Sequence, residues 1–507
     1  MTMQNKLDKL RSLDKEWGHL GRIIAALQWD QETMLPEKGV PERSEQLALI
    51  EGILHERFSS IETGNLLLEL GSSTENPEGD EKLAPLDRDF IKVIRRNYDK
   101  AVKLPTDFVS NAARAEGLSQ AAWVKAKKDN KFNDFLPHLV KMLDIARQRA
   151  AYWGYKDNAY DGLLDIYEPG LGTEGISALF KPLGEKLSIL LKKISAKERP
   201  NTDFINREFD VKSQASFSKK LMDVLGFNLA QGRLDVSAHP FCTTLGSYDV
   251  RMTTRYLTEN LLSSIFSVIH ESGHAFYEMG FPKELHGSSL AEGASMGIHE
   301  SQSRLWENVI GRSPSFWVEL FPMLKDQFPA ELSSVLFEDF YRAINIVEAS
   351  LIRVEADELS YSLHIILRFE LEKALISGSL NPEDLPSAWR TKMKEYLGVE
   401  PETDSEGVLQ DIHWSMGAFG YFPSYALGNL YSLQFWDKLK ADISNVDELI
   451  TRHNFKSIHE WLKDNIHVWG CRLEPRVLLK AVTGQSLSSN AFLDYINEKY
   501  SALYGIN

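Results

Sequence analysis

Apolar residues recur at helical spacing along nearly the whole of this chain, and alternating runs are scarce. Leu20, Ile23, Ile24 and Leu27 stand at i, i+3, i+4 and i+7, the stripe of one helical face. Leu363, Leu367, Leu371 and Leu375 repeat every four residues. Long amphipathic segments are expected at 85–102, 137–152, 174–195, 213–225 and 447–465. Only HPFCTTLGSYDVRMTTRY (239–256), interrupted at Gly246, reads as strands. With 32 glycines and 19 prolines in 507 residues, helix breakers are few, as a helix-rich fold requires. The polar stretch 71–82 reads as an exposed loop, and no shift in composition divides the chain. The expectation is a single domain over 1–507, with two lobes around a cleft.

Charge and cysteine use narrow the function classes. Lys and Arg total 57 against 72 Asp and Glu, a net charge of −15, so a basic nucleic-acid surface is not expected. Two cysteines, Cys242 and Cys471, are too few for a disulfide framework and read as core thiols. The N-terminus carries charges throughout, and no run approaches a membrane span. These features predict a reduced, cytoplasmic protein with neither a membrane nor a nucleic-acid partner.

One segment carries chemistry. TENLLSSIFSVIHESGHAFYEMGFP (258–282) reads as a helix, with Thr258 as N-cap and a stop at Gly280–Pro282. Its buried stripe is Leu262, Ile265, Phe266 and Ile269. On it His270 and His274 lie about 40° apart around the axis and one turn apart along it, so two imidazoles can share one metal ion. Glu271 projects about 60° further round, within reach of a water on that metal. Three ionisable groups in an otherwise apolar helix are costly unless they have a purpose. A hydrolytic zinc site needs a third protein ligand and an open position. The second helix expected over 290–310 offers Glu300, with Glu292 as the competing carboxylate. The metzincin spacing is absent, since Tyr277 and Gly280 stand at those positions. A His2Glu set lowers the pKa of bound water to about 7. Glu271 can then serve as general base on that zinc-activated water.

The ordered motifs DVRMT (249–253), HESGH (270–274), HESQ (299–302), IRVEAD (352–357) and GVLQDIHW (407–414) give the chain a specific resemblance. So do LQWDQETMLP (27–36), YDGLLDIYEPG (160–170) and LYGI (503–506). The sequence resembles the carboxypeptidase Taq family of metallocarboxypeptidases over almost its full length. Lys38–Gly39 stands where members often carry Gly-Gly. The resemblance implies a mainly α fold similar to neurolysin and angiotensin-converting enzyme, with a deep cleft and a small antiparallel sheet. It implies a broad-specificity, metal-dependent carboxypeptidase acting on free peptide C-termini. Such enzymes are usually homodimers and use zinc, with cobalt able to substitute. Carried over by position, the ligands are His270, His274 and Glu300, and the base is Glu271.

The remaining candidates follow from what a carboxypeptidase must do. A guanidinium recognises a carboxylate bidentately. By spacing alone, Arg353 and Asp357 form an i, i+4 helix pair; the motif makes Arg353 the candidate for the substrate carboxylate. Arg251 and Asp249 are expected to shape a strand that pairs with the substrate backbone. His413 and Tyr425 are candidates for stabilising the oxyanion, with Tyr421 as the alternative donor. His299 is expected to orient a neighbour or touch substrate. Rival readings are an oligopeptidase or dipeptidyl carboxypeptidase on the same fold, or an inactive helical binding protein.

Overall fold

The computed structural model describes residues 1–506. Twenty-one α-helices, eight short 3-10 or π-helical turns and three strands make up the regular structure of those residues, so the helical expectation holds. The segments expected at 85–102, 137–152, 174–195 and 213–225 each fall within one helix. The fifth does not: 447–465 breaks into Val446–Thr451 and Lys456–Asn465, with His453 in the left-handed region at φ 49°. The loop expected at 71–82 is irregular throughout. None of the described helices is long and apolar enough to cross a membrane.

The N-terminal layer consists of α1 (Met3–Thr33), α2 (Val40–Phe58), α3 (Ile61–Glu69) and α4 (Pro85–Val102). Helix α1 turns a different face inward from the one its stripe suggests. It buries Leu7, Leu10, Trp17 and Trp29, while Ile23 is 46% exposed. Leu7, Leu10 and Trp17 join Leu67, Leu70, Phe90, Ile91, Ile94, Leu285 and Leu290 in a small core of their own. The large core gathers around two helices deep in the molecule, Glu358–Ser377 and Phe422–Asp442. The leucine repeat at 363–375 belongs to the first. That helix is buried on nearly every side, so its leucines are one stripe of a surface that also buries His364, Arg368 and Glu372.

The sheet has the order β1 (Gly232–Val236), β3 (Asp249–Thr254), β2 (Cys242–Gly246). Strands β2 and β3 form the hairpin expected within 239–256, with a bulge at Thr244/Gly246. Strand β1, unforeseen in the sequence, pairs parallel to β3, so the sheet is mixed rather than antiparallel. The reason lies in the connection: the chain leaves β1, passes through 237–241 and enters the hairpin on the far side of β3. The central strand is thereby paired on both edges, and β1 and β2 are each left with a free one.

Candidate active site

The helix carrying HExxH spans Leu261–Gly280 and stops where expected, at Phe281–Pro282. Its cap is Asn260, whose side chain accepts the Ser263 N–H at 3.1 Å. Thr258 instead lends its carbonyl to Phe209 N–H at 2.7 Å. Buried Ile265, Phe266 and Ile269 hold the helix in the core, and it also packs against β3. The second helix is shorter than expected, Met296–Arg304, and continues as a wider turn over Leu305–Ile310. It packs along both the HExxH helix and Phe422–Asp442.

Where these helices meet, His270, His274 and Glu300 each present one donor atom, all within 4.8 Å of one another. Glu300 Oε2 lies 3.7 Å from His270 Nε2 and 3.4 Å from His274 Nε2. The opposite ring nitrogens are already engaged. His270 Nδ1 is 2.8 Å from Glu307 Oε2. His274 Nδ1 is 2.6 Å from His299 Nδ1, and His299 Nε2 is 2.8 Å from Glu278 Oε1. Glu307 thus fixes the His270 ring directly and Glu278 fixes the His274 ring through His299, which leaves both Nε2 atoms facing Glu300, the arrangement that suits a metal-binding imidazole. Burial would raise the Glu300 carboxyl, but Arg304 and the two histidines outweigh it and hold the group well below the usual range. Arg304 Nε donates to Glu300 Oε1 at 2.7 Å. Burial drives His274 down to about 3, so it stays neutral and able to ligate. The donor set fits a divalent ion.

Glu271 is 6% exposed in the same hollow but stands outside the donor triad. Burial pushes its carboxyl up to about 7, with Glu300 and Glu307 adding to the rise and His270 opposing it. Glu292, the competing ligand, is not in the triad; it lines a neighbouring cavity of about 760 Å³. Helices α1 and α2 form one wall of that cavity, and Cys242, Thr244, Glu278 and His299 form the other. His299 therefore both braces His274 and faces open space.

The expected Arg353–Asp357 pair does not form. The helix starts only at Glu358, with Asp357 as its cap: Asp357 Oδ1 accepts the N–H groups of Leu359 and Ser360 at 2.9 and 3.0 Å. Arg353 lies in the short turn before it and donates to Asp411 Oδ1 at 2.9 Å and to the Tyr361 hydroxyl at 3.0 Å. Arg368 takes the other Asp411 oxygen at 2.7 Å. Burial would raise Asp411, but the two guanidiniums hold it well below the ordinary range. Arg353 sits over the Tyr425 ring at 5.1 Å, and Arg304 over Tyr361 at 4.4 Å, so the arginine cluster and the metal-ligand cluster share a wall of tyrosines.

His413 Nε2 is 3.2 Å from the Tyr425 hydroxyl. Burial, with Arg353 and Arg368 nearby, holds His413 down at about 3, so it works as a neutral ring. Tyr421 packs edge-on against Tyr425 with centroids 5.0 Å apart. Arg251 and Asp249 form a two-bond pair at 2.8 Å, with Arg251 over the Trp29 ring. Their strand cannot receive a substrate backbone, because β1 and β2 occupy both its edges; the free edges belong to β1 and β2.

Sequence reasoning missed Glu307, Arg304, Glu278, Asp411 and Arg368. Two left a trace. Glu307 follows Glu300 by seven residues, a helical return, and Asp411 lies inside the QDIHW motif.

A family model described as carboxypeptidase Taq (M32) metallopeptidase matches residues 9–500. The chain belongs to that family and is a metallocarboxypeptidase, a hydrolase of peptide bonds. It is 40% identical to thermostable carboxypeptidase 1 of Thermus thermophilus over the full length of both chains. It is 39% identical to carboxypeptidase 1 of Bacillus subtilis over 97% of each. The fold matches the crystal structure of the M32 carboxypeptidase from Deinococcus radiodurans with a TM-score of 0.95 at 36% identity, covering 99% of this chain and 100% of that one.

Proposed function

We propose that this enzyme removes single residues from the free C-termini of peptides of varied sequence, using one metal held by His270, His274 and Glu300. The observation that carries the reading is the convergence of those three donors beside a separately anchored buried arginine. A bound divalent ion, zinc with cobalt as a substitute, would supply Lewis acidity toward water and the scissile carbonyl. Glu271 takes the proton of the attacking water and passes it to the leaving amine; its burial suits a carboxylate that must change protonation state near neutral pH. Arg353, held at Nε by Asp411 and at one Nη by Tyr361, keeps its remaining donors for the substrate carboxylate. His413 and Tyr425 donate to the developing oxyanion, and Tyr421 supports Tyr425. Arg251 and Asp249 stiffen the sheet beneath the cavity, and His299 keeps His274 in its binding tautomer. The whole chain acts as one catalytic domain, homodimeric and cytoplasmic, a reading taken from the family resemblance and from two unpaired cysteines.

The test is a blocked dipeptide offered as free acid and as amide, with and without a chelator. Release of the last residue only from the acid, abolished by chelation and restored by zinc, supports the reading. Equal cleavage of the amide points to an oligopeptidase instead. Glu271→Gln should keep full metal by elemental analysis yet lose roughly 10²–10⁴-fold in turnover. Unchanged turnover would assign the base to another group.

A further inference from the structure

The YEPG segment after the Ala159–Leu164 helix carries a fully buried acid, Glu168, that the mechanism above does not use. It packs against the first turn of the Met296–Arg304 helix. There the Tyr167 carbonyl accepts the Met296 N–H at 3.0 Å. Glu168 Oε1 accepts the Gly297 N–H at 2.5 Å, and Ser295 Oγ accepts the Ile298 N–H at 3.0 Å. Three amides with no partner inside their own helix are thus satisfied, two of them by a segment more than a hundred residues away. The fit is close. A Cβ on residue 297 would stand 2.7 Å from Glu168 Oε1, so only glycine allows the approach. The other carboxyl oxygen faces the Ser424 hydroxyl, but the two do not meet in a well-formed hydrogen bond. Ser424 adjoins Tyr425, so Glu168 lies between the helix that bears Glu300 and the helix that bears Tyr425.

We propose that Glu168 is a positioning residue for the metal centre: through Gly297 it fixes the placement of the short helix and so the presentation of Glu300 to the two histidines. Glu300 lies one turn beyond that contact, close to the start of the helix, where the placement of the first turn bears directly on it. Burial pushes the Glu168 carboxyl up to about 7 against the opposing hydroxyl and amide contacts, so this site carries a cost that bare packing would avoid.

The inference rests on Glu300 being a metal ligand, and the test separates the two claims. Cobalt-loaded full-length protein is titrated with a competing chelator while its visible absorption is recorded, for the wild type, Glu168→Asp, Glu168→Gln and Glu300→Gln. Aspartate keeps the charge but cannot reach Gly297; it should lose roughly 10–100-fold in cobalt affinity and change the absorption band, the scale seen for groups that orient metal ligands. Glutamine keeps the reach and can donate to Ser424, so it should stay close to wild type. Wild-type affinity and spectrum in a folded Glu168→Asp would overturn the proposal. So would equal losses in both variants that merely track the melting temperature of the metal-free protein. Should Glu168→Asp fail to fold, Gly297→Ala breaks the same contact with the carboxylate intact and is held to the same expectation: reduced affinity supports the proposal, wild-type affinity overturns it. If Glu300→Gln itself keeps full affinity, the ligand reading fails instead.

Discussion

At the scale of single residues, the site depends on buried charges that are worth little without their partners. Arg353 is 7% exposed and is anchored by Asp411 and Tyr361. A desolvated charged pair left with one partner costs about 2–5 kcal/mol. Arg353→Ala should therefore lose roughly 10²-fold or more in kcat/KM on free-acid peptides, with metal content unchanged. Amide substrates should be nearly unaffected, so the measurement is the acid-to-amide ratio in both proteins; equal loss on both would make Arg353 structural. Asp411 makes a prediction about pH. Its folded pKa is depressed, so the stability it contributes is fully present above the ordinary carboxylate pKa of about 4 and is lost as pH falls through the lower folded value. Asp411→Asn should destabilise strongly at neutral pH, by about 3–5 kcal/mol. The gap from wild type should narrow in thermal melts below about pH 4. The contrast between Arg353 and the histidines shows what sequence can reveal at this scale. His270, Glu271 and His274 were legible because one helix fixes their mutual geometry. The partner of Arg353 was not, because Asp411 arrives from a different segment and no local spacing encodes it.

At the scale of elements, the amphipathic helices could be read wherever one face meets the core. Strand β1 went unread although GRLDV alternates Leu234 and Val236 with Arg233 and Asp235, since five residues carry too short a pattern and the pairing is set by β3. The crossing of the HExxH helix with the Met296–Arg304 helix was likewise invisible, although its cause is in the sequence. Gly273, inside the motif, faces the backbone of the second helix. A Cβ there would stand 2.6 Å from the Gln302 carbonyl oxygen and 2.6 Å from the Ser303 Cα. Backbone cannot move aside as a flexible side chain would, so Gly273→Ala must push the helices apart. That separates the histidines from Glu300 directly. The expected result is a folded helical protein by circular dichroism with a metal affinity lowered at least tenfold. An affinity equal to wild type would show that the two helices can slide without disturbing the donor set.

At the scale of the molecule, two cores of unequal size divide the labour. The large one encloses the metal-ligand helices and the arginine cluster. The small one joins α1, α3 and α4 to Leu285 and Leu290, which follow the HExxH helix, and Asp14 ties the same loop by accepting the Ser289 N–H at 2.9 Å. Helix α2 buries no residue fully and walls the cavity through Leu54, His55 and Phe58. The N-terminal layer thus rests on few contacts, and segments with sparse burial open at lower free energy than the global transition. Leu10→Ala removes a fully buried side chain from the small core, a change that costs about 2–5 kcal/mol. If the layer opens as its own unit, this loss falls on local opening alone. Hydrogen exchange followed by mass spectrometry should then show faster exchange over 3–33 and 85–102, with exchange in Leu261–Gly280 and Met296–Arg304 unchanged and metal affinity intact. Peptide turnover should still fall, because α1 and α2 form one wall of the cavity beside the site. A uniform rise in exchange across all helices would mean instead that both cores melt together and that the cavity wall is as rigid as the metal centre.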